Sequence, residues 1–431
     1  MYFCSDYNSK VSMNKDLLKN IIIEYQSITE SIEIHPRDLK LEASLNYVLV
    51  GLRRAGKSFI LYQHIRKLIM SGHSKEEILY INFEDDRMQG LRLADLDVLK
   101  QCYEEMYAHK PFFFLDEIQN VDGWEHFARR LADQHFSVYI TGSNSKMLSR
   151  EIAGTLGGRY MIQSVFPYSF KEYLSVHGIL LSKHWMYGPD KNEIVRKMND
   201  YFVEGGLPEV MQVPQSLRRS WLSNLYNKIF FGDILMRYSV RNTMAFKILM
   251  SKLAESVKQP VSYSRLANIV SSVGQKVRHE TVIDYLTYAE ESCLIFSIEN
   301  YAAKIVEKSS NKKYYFADNG LLNLLLTNPR SSLLENMVAI HLFHRYGDGL
   351  MFYKQNIEVD FFLWEQSIGI QASYTIADDE STRSREINGL VALSRLVHLK
   401  EMIIVTYDES DEIQTEEGII QVVPLWQCLL K

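Results

Sequence analysis

Eight consecutive residues, Gly51-Leu52-Arg53-Arg54-Ala55-Gly56-Lys57-Ser58, fit the phosphate-cradling pattern G-x-x-x-x-G-K-[ST] at every fixed position. Gly51 and Gly56 permit backbone angles and a close main-chain approach that a Cβ obstructs. Lys57 is a compact cation of the right reach for the β- and γ-phosphates of ATP, and Ser58 can place a hydroxyl on Mg²⁺. Leu52, Arg53, Arg54 and Ala55 supply the remaining backbone of the cradle, and Phe59 follows at its exit; all are expected nucleotide contacts. Arg53 and Arg54 fit two roles, touching phosphate or facing a lid. Downstream, Phe112-Phe113-Phe114-Leu115 ends in Asp116-Glu117. Asp116 is expected to hold Mg²⁺ through water, and Glu117 to orient and activate the attacking water. Ser143 and Asn144 end a further apolar run and fit either a γ-phosphate or lytic-water contact or a helix-capping turn. Arg159 fits a transition-state arginine, within the chain or across a subunit interface, and equally a surface arginine.

These side chains need a scaffold of strands and helices. Tyr47–Val50 reads as a buried strand, and residues 59–69 as a helix with apolar positions three and four apart. Strand, glycine turn and helix N-terminus together make an anion cradle. A helix from about 14 to 31 precedes them. Strands at 78–83, 112–115 and 137–141, alternating with helices near 96–107 and 124–133, imply a parallel α/β sheet. No G-x-G-x-x-G opens it, which disfavours a dinucleotide fold. Residues 176–244 read as mostly helical, with Trp221, Leu222, Leu225, Tyr226, Ile229 and Phe230 on one stripe; Arg237 or Arg241 of this lid faces nucleotide or solvent.

At 431 residues the chain exceeds a single core, and roughly two to four domains are expected. Hydrophobic content of 46% and charged content of 23% are those of a water-soluble globular chain. A net charge of −5 excludes a chain basic along its whole length that coats nucleic acid. Cys4, Cys102, Cys293 and Cys428 form no C-x-x-C pair, which suits reduced thiols in the cytoplasm. No signal peptide opens the chain and no apolar run reaches bilayer length, so no membrane partner is expected.

The set Gly51–Ser58, Tyr80–Asp85, Phe114–Gln119, Ile140–Asn144 and Val165–Glu172, extended by Gly205–Glu209 and Asp233–Tyr238, resembles a prokaryotic AAA+-type ATPase family. Its members join an archaeal-ATPase-like P-loop core to a C-terminal region of uncharacterised function. The resemblance implies an α/β fold, ATP binding and hydrolysis, with Mg²⁺. The expected domains are an N-terminal helix (1–40), an ATP-binding core (41–175), a helical lid (176–244), a winged-helix domain (245–325) and a nuclease-like domain (326–431).

The winged-helix expectation rests on three helical stretches within 246–292, followed by two strands around a Lys-rich turn. Residues 245–300 carry six Lys/Arg against six Asp/Glu. The turn carries Lys304, Lys308, Lys312 and Lys313 against Glu307. Duplex contact and protein packing both stay open as uses. Further on, Glu335 on a helix and Asp360 ending a strand occupy, by resemblance, the first two positions of a PD-(D/E)xK nuclease site. Where E-x-K is expected stands Gln371-Ala372-Ser373. Amide and hydroxyl replace the metal-binding carboxylate and the ammonium, so an inactive site is expected. His341 and His344 lie one turn apart without a third ligand, so no metal is expected there.

Overall fold

The structure is a computed structural model that describes residues 14–148, 150–181, 185–186, 190–274, 276–304 and 310–431. Cys4, Glu307 and Lys308 lie outside the described residues. The chain divides into two compact units: residues 1–51 with 56–165, and residues 52–55 with 166–431.

The first unit is built on a five-stranded parallel sheet: β1 (Asn46–Gly51), β2 (Ile78–Asn82), β3 (Phe112–Asp116), β4 (Val138–Gly142) and β5 (Tyr160–Val165), in the order β2-β3-β4-β1-β5. β1, β3 and β4 are buried on both faces, as a parallel sheet covered by crossover helices requires. Helix Lys15–Ser31 is capped by the Asn14 side chain and buries Leu18, Ile21, Ile22 and Tyr25. Gly51 has a packing reason of its own: a Cβ there would lie 2.0 Å from the Val165 carbonyl oxygen on β5. In this order β4 separates the cradle strand β1 from the acidic strand β3. The ends of all three meet along one edge.

Helix Lys57–Met70 carries a buried anomaly. His64 packs 4.5 Å from the Tyr139 ring, and neither imidazole nitrogen has a hydrogen-bond partner. Burial pulls its pKa down to about 4. The folded state thus refuses a proton that the unfolded chain accepts near 6.5, and stability falls as pH drops from about 6.5 to about 4. That interval is worth about 3 kcal/mol. His64→Leu is expected to flatten this acid limb in melts run from pH 7 to pH 4.5, while changing the neutral-pH midpoint little.

The second unit carries a nine-stranded mixed sheet. Its strands are β6 (Val261–Ser262), β7 (Ile295–Asn300), β8 (Asn311–Phe316), β9 (Leu350–Lys354), β10 (Glu358–Leu363), β11 (Ile368–Ala372), β12 (Glu401–Thr406), β13 (Asp411–Thr415) and β14 (Gly418–Pro424), in the order β13-β14-β12-β11-β10-β9-β7-β8-β6. Helices Thr243–Glu255, Tyr263–Ser272 and His279–Glu291 precede the antiparallel pair β7–β8. That pair is no free wing: β8 also bonds β6, and β7 runs parallel to β9 through Glu299–Met351 and Asn300–Phe352. The boundary expected at 325 therefore crosses a continuous sheet. Helix Gln215–Lys228 runs on into a π-helical turn, Ile229–Met236.

Three short motifs are tied together in this unit. The Asp318 carboxylate accepts from the backbone N–H of Gly206 at 2.8 Å and of Leu321 at 3.2 Å. The Tyr168 N–H donates to the Gly206 carbonyl at 2.8 Å, and Ser169 caps the next helix in a reciprocal box with Glu172.

Candidate functional site

The cradle turns through two left-handed residues, Arg54 at φ 63° and Gly56 at φ 94°. The helix begins at Lys57, so its unpaired N–H groups face the loop. The Lys57 ammonium is almost wholly buried, donates to the Gly51 carbonyl at 3.1 Å, and pairs with Glu117 Oε1 at 3.1 Å. Ser58 hydrogen-bonds the Asp116 carboxylate. Cradle lysine, cradle hydroxyl and both strand-end acids thus converge on one sheet edge. Phe59 is the outlier, with its ring exposed and edge-on to Tyr62 at 5.7 Å.

Asp116 is fully buried. The Thr141 hydroxyl donates to its Oδ1, the Tyr80 hydroxyl donates to its Oδ2, and Tyr80 is in turn 3.0 Å from the Tyr62 hydroxyl. Burial, and then the neighbouring Glu117 charge, push the Asp116 carboxyl upward. A cation at this point would reverse that balance. Ser58 and Asp116 are oxygen donors of the kind a hard divalent ion takes, and they would hold Mg²⁺.

Glu117 follows in the left-handed region at φ 56°, an uncommon conformation for a residue with a Cβ. It is fixed from several sides: its N–H donates to Thr141 Oγ1 at 2.9 Å, and its Oε2 accepts from Gln119 Nε2 at 2.6 Å and from the Ser143 N–H at 3.1 Å. Ser143 therefore touches the site through its backbone. The Asn144 carbonyl accepts from the Met147 N–H, and the turn Ser145–Leu148 follows it.

Arg159 does not reach the cradle of its own chain. It stands just before β5, at the end of the sheet opposite the cradle, where its Nε pairs with Asp133 at 2.5 Å. Thr141, Tyr80 and Gln119, to which the sequence reading assigns no role, contact the two acids. The available signal was a hydroxyl closing an otherwise apolar strand, Val138–Gly142, beside the acidic pair.

In the second unit the crest of the cradle makes two ion pairs. Arg53 Nε and Nη2 bind Asp233 Oδ2 and Oδ1 at 2.8 and 3.1 Å. Arg54 Nη1 binds Glu209 at 2.6 Å, and its guanidinium carbon lies 5.3 Å from the centre of the Trp221 ring.

The second constellation departs from the sequence expectation in one residue. Glu335 and Asp360 do meet, but around Lys313, whose ammonium lies 3.1 Å from Glu335 Oε1 and 2.8 Å from Asp360 Oδ1. Lys313 is 0% exposed, so it contributes nothing to a basic wing. Lys312, its neighbour, points the other way and faces Glu299 at 3.6 Å. Gln371 acts as a backbone staple: its Oε1 accepts from Asp360 N–H at 2.9 Å, and its Nε2 donates to the Glu358 carbonyl at 3.0 Å. The β10 register against β9 shifts between Val359 and Phe362, the interval that holds Asp360. Burial and the Asp360 charge raise the Glu335 carboxyl to about 8; burial opposes the Lys313 charge, but the Asp360, Glu335 and Glu358 carboxylates outweigh it and raise Lys313. Burial lowers His341 to about 4, and among the described residues no group of three or more His, Cys, Asp or Glu side chains is placed to hold a metal ion.

Comparison with known proteins places this geometry in context. A family model described as an AAA domain matches residues 44–174, and a domain of unknown function matches 195–332. An uncharacterized protein of Methanocaldococcus jannaschii is 31% identical over 430 residues, covering 96% of each chain. An uncharacterized protein of Haemophilus influenzae is 32% identical over 305 residues, covering 69% of this chain and 74% of its own. A solved Walker-type ATPase of Pyrococcus abyssi aligns over 73% of this chain and 95% of its own, at 16% identity and a TM-score of 0.37, too loose a likeness to carry weight. No helix among the described residues is long and apolar enough to cross a membrane. With an AAA-domain match over the cradle and a full-length archaeal relative, the chain belongs to an AAA+-type, archaeal-ATPase-like P-loop family whose C-terminal region is of unknown function.

Proposed function

We propose that the protein binds Mg·ATP at Gly51–Ser58 and hydrolyses it, and that the nucleotide cycle switches a C-terminal region that engages nucleic acid or another protein in the cytoplasm. The observation that carries this reading is the Lys57–Glu117 contact at 3.1 Å. It puts the phosphate-seeking ammonium and the water-activating carboxylate within reach of one small volume. Backbone N–H groups of the cradle bind and orient the phosphates, Lys57 leaves Glu117 for the β- and γ-oxygens, and Glu117 is freed to take the proton of the attacking water. Mg²⁺, when bound, neutralises charge developing on the transferred phosphoryl group. Ser58 and Asp116 would hold it, and Tyr80 and Thr141 keep the Asp116 carboxylate oriented.

Isothermal titration tests the binding half of this reading. Lys57→Ala is expected to abolish the heat of Mg·ATP binding, and undiminished binding would overturn the assignment. Phosphate release with and without duplex DNA tests the switch. A chain that binds ATP but shows no turnover under either condition would instead be a scaffold retaining nucleotide. The C-terminal acids support a nuclease-like arrangement without cleavage, because the Lys313 ammonium stands between the two carboxylates that would hold a metal.

A further inference from the structure

The two arginines inside the cradle do more than vary a consensus. Arg53 presents both prongs of its guanidinium to both oxygens of Asp233, the planar match that lysine cannot make. The pair is secluded, with side-chain exposures of 16% for Arg53 and 7% for Asp233. Only four residues of the cradle, Leu52–Ala55, group with the second unit. Arg54 anchors the same four residues a second time, to Glu209 of the Gly-Gly-Leu-Pro-Glu motif, with its guanidinium near Trp221 of helix Gln215–Lys228.

Asp233 lies within the π-helical turn Ile229–Met236, a local register that accommodates an extra residue and recurs at functional positions. One turn later Arg237 carries a buried Nη1 with no hydrogen-bond partner. A tightly paired acid inside the turn thus stands four residues before a guanidinium with one buried, unbonded nitrogen.

We propose that the Arg53–Asp233 pair relays nucleotide occupancy of the cradle to the segment Gln215–Met236, with Arg53 and Asp233 as positioning residues. The proposal rests on the ATP reading of Gly51–Ser58. Phosphates draw the backbone N–H groups of the cradle inward. Because its crest is held by two ion pairs, the crest can settle around phosphate only with Asp233 and Glu209 in matching positions. Nucleotide then favours one arrangement of the π turn, and by linkage that arrangement favours nucleotide. The guanidinium fork is already directed at Asp233, which favours the tether over a phosphate contact as the role of Arg53.

Hydrogen exchange of the full-length protein tests this. In the wild type, amides of 229–236 are expected to exchange at least about 5-fold more slowly with saturating Mg·ATP than without. Asp233→Asn keeps the shape and removes the charge. It is expected to lose that slowing while still binding Mg·ATP by titration, with affinity weakened by no more than about 10-fold. The reciprocal exchange, Arg53→Asp with Asp233→Arg, is expected to restore part of the slowing. If Asp233→Asn does not fold, Arg53→Lys, which retains charge but not the fork, serves as the second variant and is expected to reduce the slowing. Full ATP-dependent slowing in Asp233→Asn or Arg53→Lys overturns the relay. So does an ATP-binding wild type with no change at 229–236. A wild type that gives no binding heat, like Lys57→Ala, overturns the ATP reading and the relay with it.

Discussion

Glu117→Gln is expected to reduce ATP turnover by roughly 10²- to 10⁴-fold while leaving nucleotide bound. The amide fills the same space, and its carbonyl can still accept from the Ser143 N–H, but it has no basic oxygen to take a proton from water. The ion pair with Lys57 at 3.1 Å adds a second consequence. In the parent protein the phosphates must compete with Glu117 for the ammonium. In the variant they need not, so Mg·ATP is expected to bind several-fold more tightly. Single-turnover phosphate release and equilibrium titration, run on the same preparation, read the two effects separately. Unchanged turnover would remove Glu117 from the chemistry, and weakened binding would contradict the competition.

Lys313→Met is expected to destabilise the second unit by about 3–5 kcal/mol, the usual cost of removing one partner from a buried ionic cluster. Glu335 and Asp360 would face each other without a cation. The effect is expected to grow with pH. Glu335 titrates near 8 in the folded chain, above its ordinary range, so its proton supports folding at low pH and that support is lost as pH rises through about 8. Without the ammonium, more carboxylate charge stays uncompensated above that point. Urea titrations followed by tryptophan fluorescence at pH 5.5 and 8.5 measure this. Mn²⁺ or Mg²⁺ is expected to restore part of the lost midpoint in the variant and to leave the parent unmoved. A variant as stable as the parent at both values would contradict the role given to Lys313.

What the sequence disclosed and what it hid divide along chain distance. The cradle and the acidic pair each lie within a few residues, and their types and spacing encode their chemistry, so Lys57, Ser58, Asp116 and Glu117 were readable before any fold was known. The sheet behind them was readable from apolar runs of strand length. Thr141 and Tyr80 lay in strands already identified, but a hydroxyl in a strand acquires a role only when the strand order puts β4 beside β3. Lys313 was misleading. Counted along the chain it belonged to a basic turn, yet strand alternation sends it inward, to acids 22 and 47 residues away. Arg53 and Asp233 are 180 residues apart, and nothing local to either foretells the other. Arg159 shows the converse, a plausible residue type that strand direction carries to the far end of the sheet.

The parallel contact between β7 and β9 bears on how this protein can be taken apart or recombined. A fragment begun at residue 326 would leave the β9 edge without its hydrogen-bonding neighbour and would strip the acids of their cation. An exchange of C-terminal segments between relatives would meet the same two penalties unless it carried both Ile295–Asn300 and Asn311–Phe316 along. Inheritance by shuffling is therefore expected to treat everything from the three helices to the last strand as one exchangeable block. Truncation libraries scored for soluble expression should show a gap in tolerated start points between about 295 and 360, where pairing with β7 and β8 is lost.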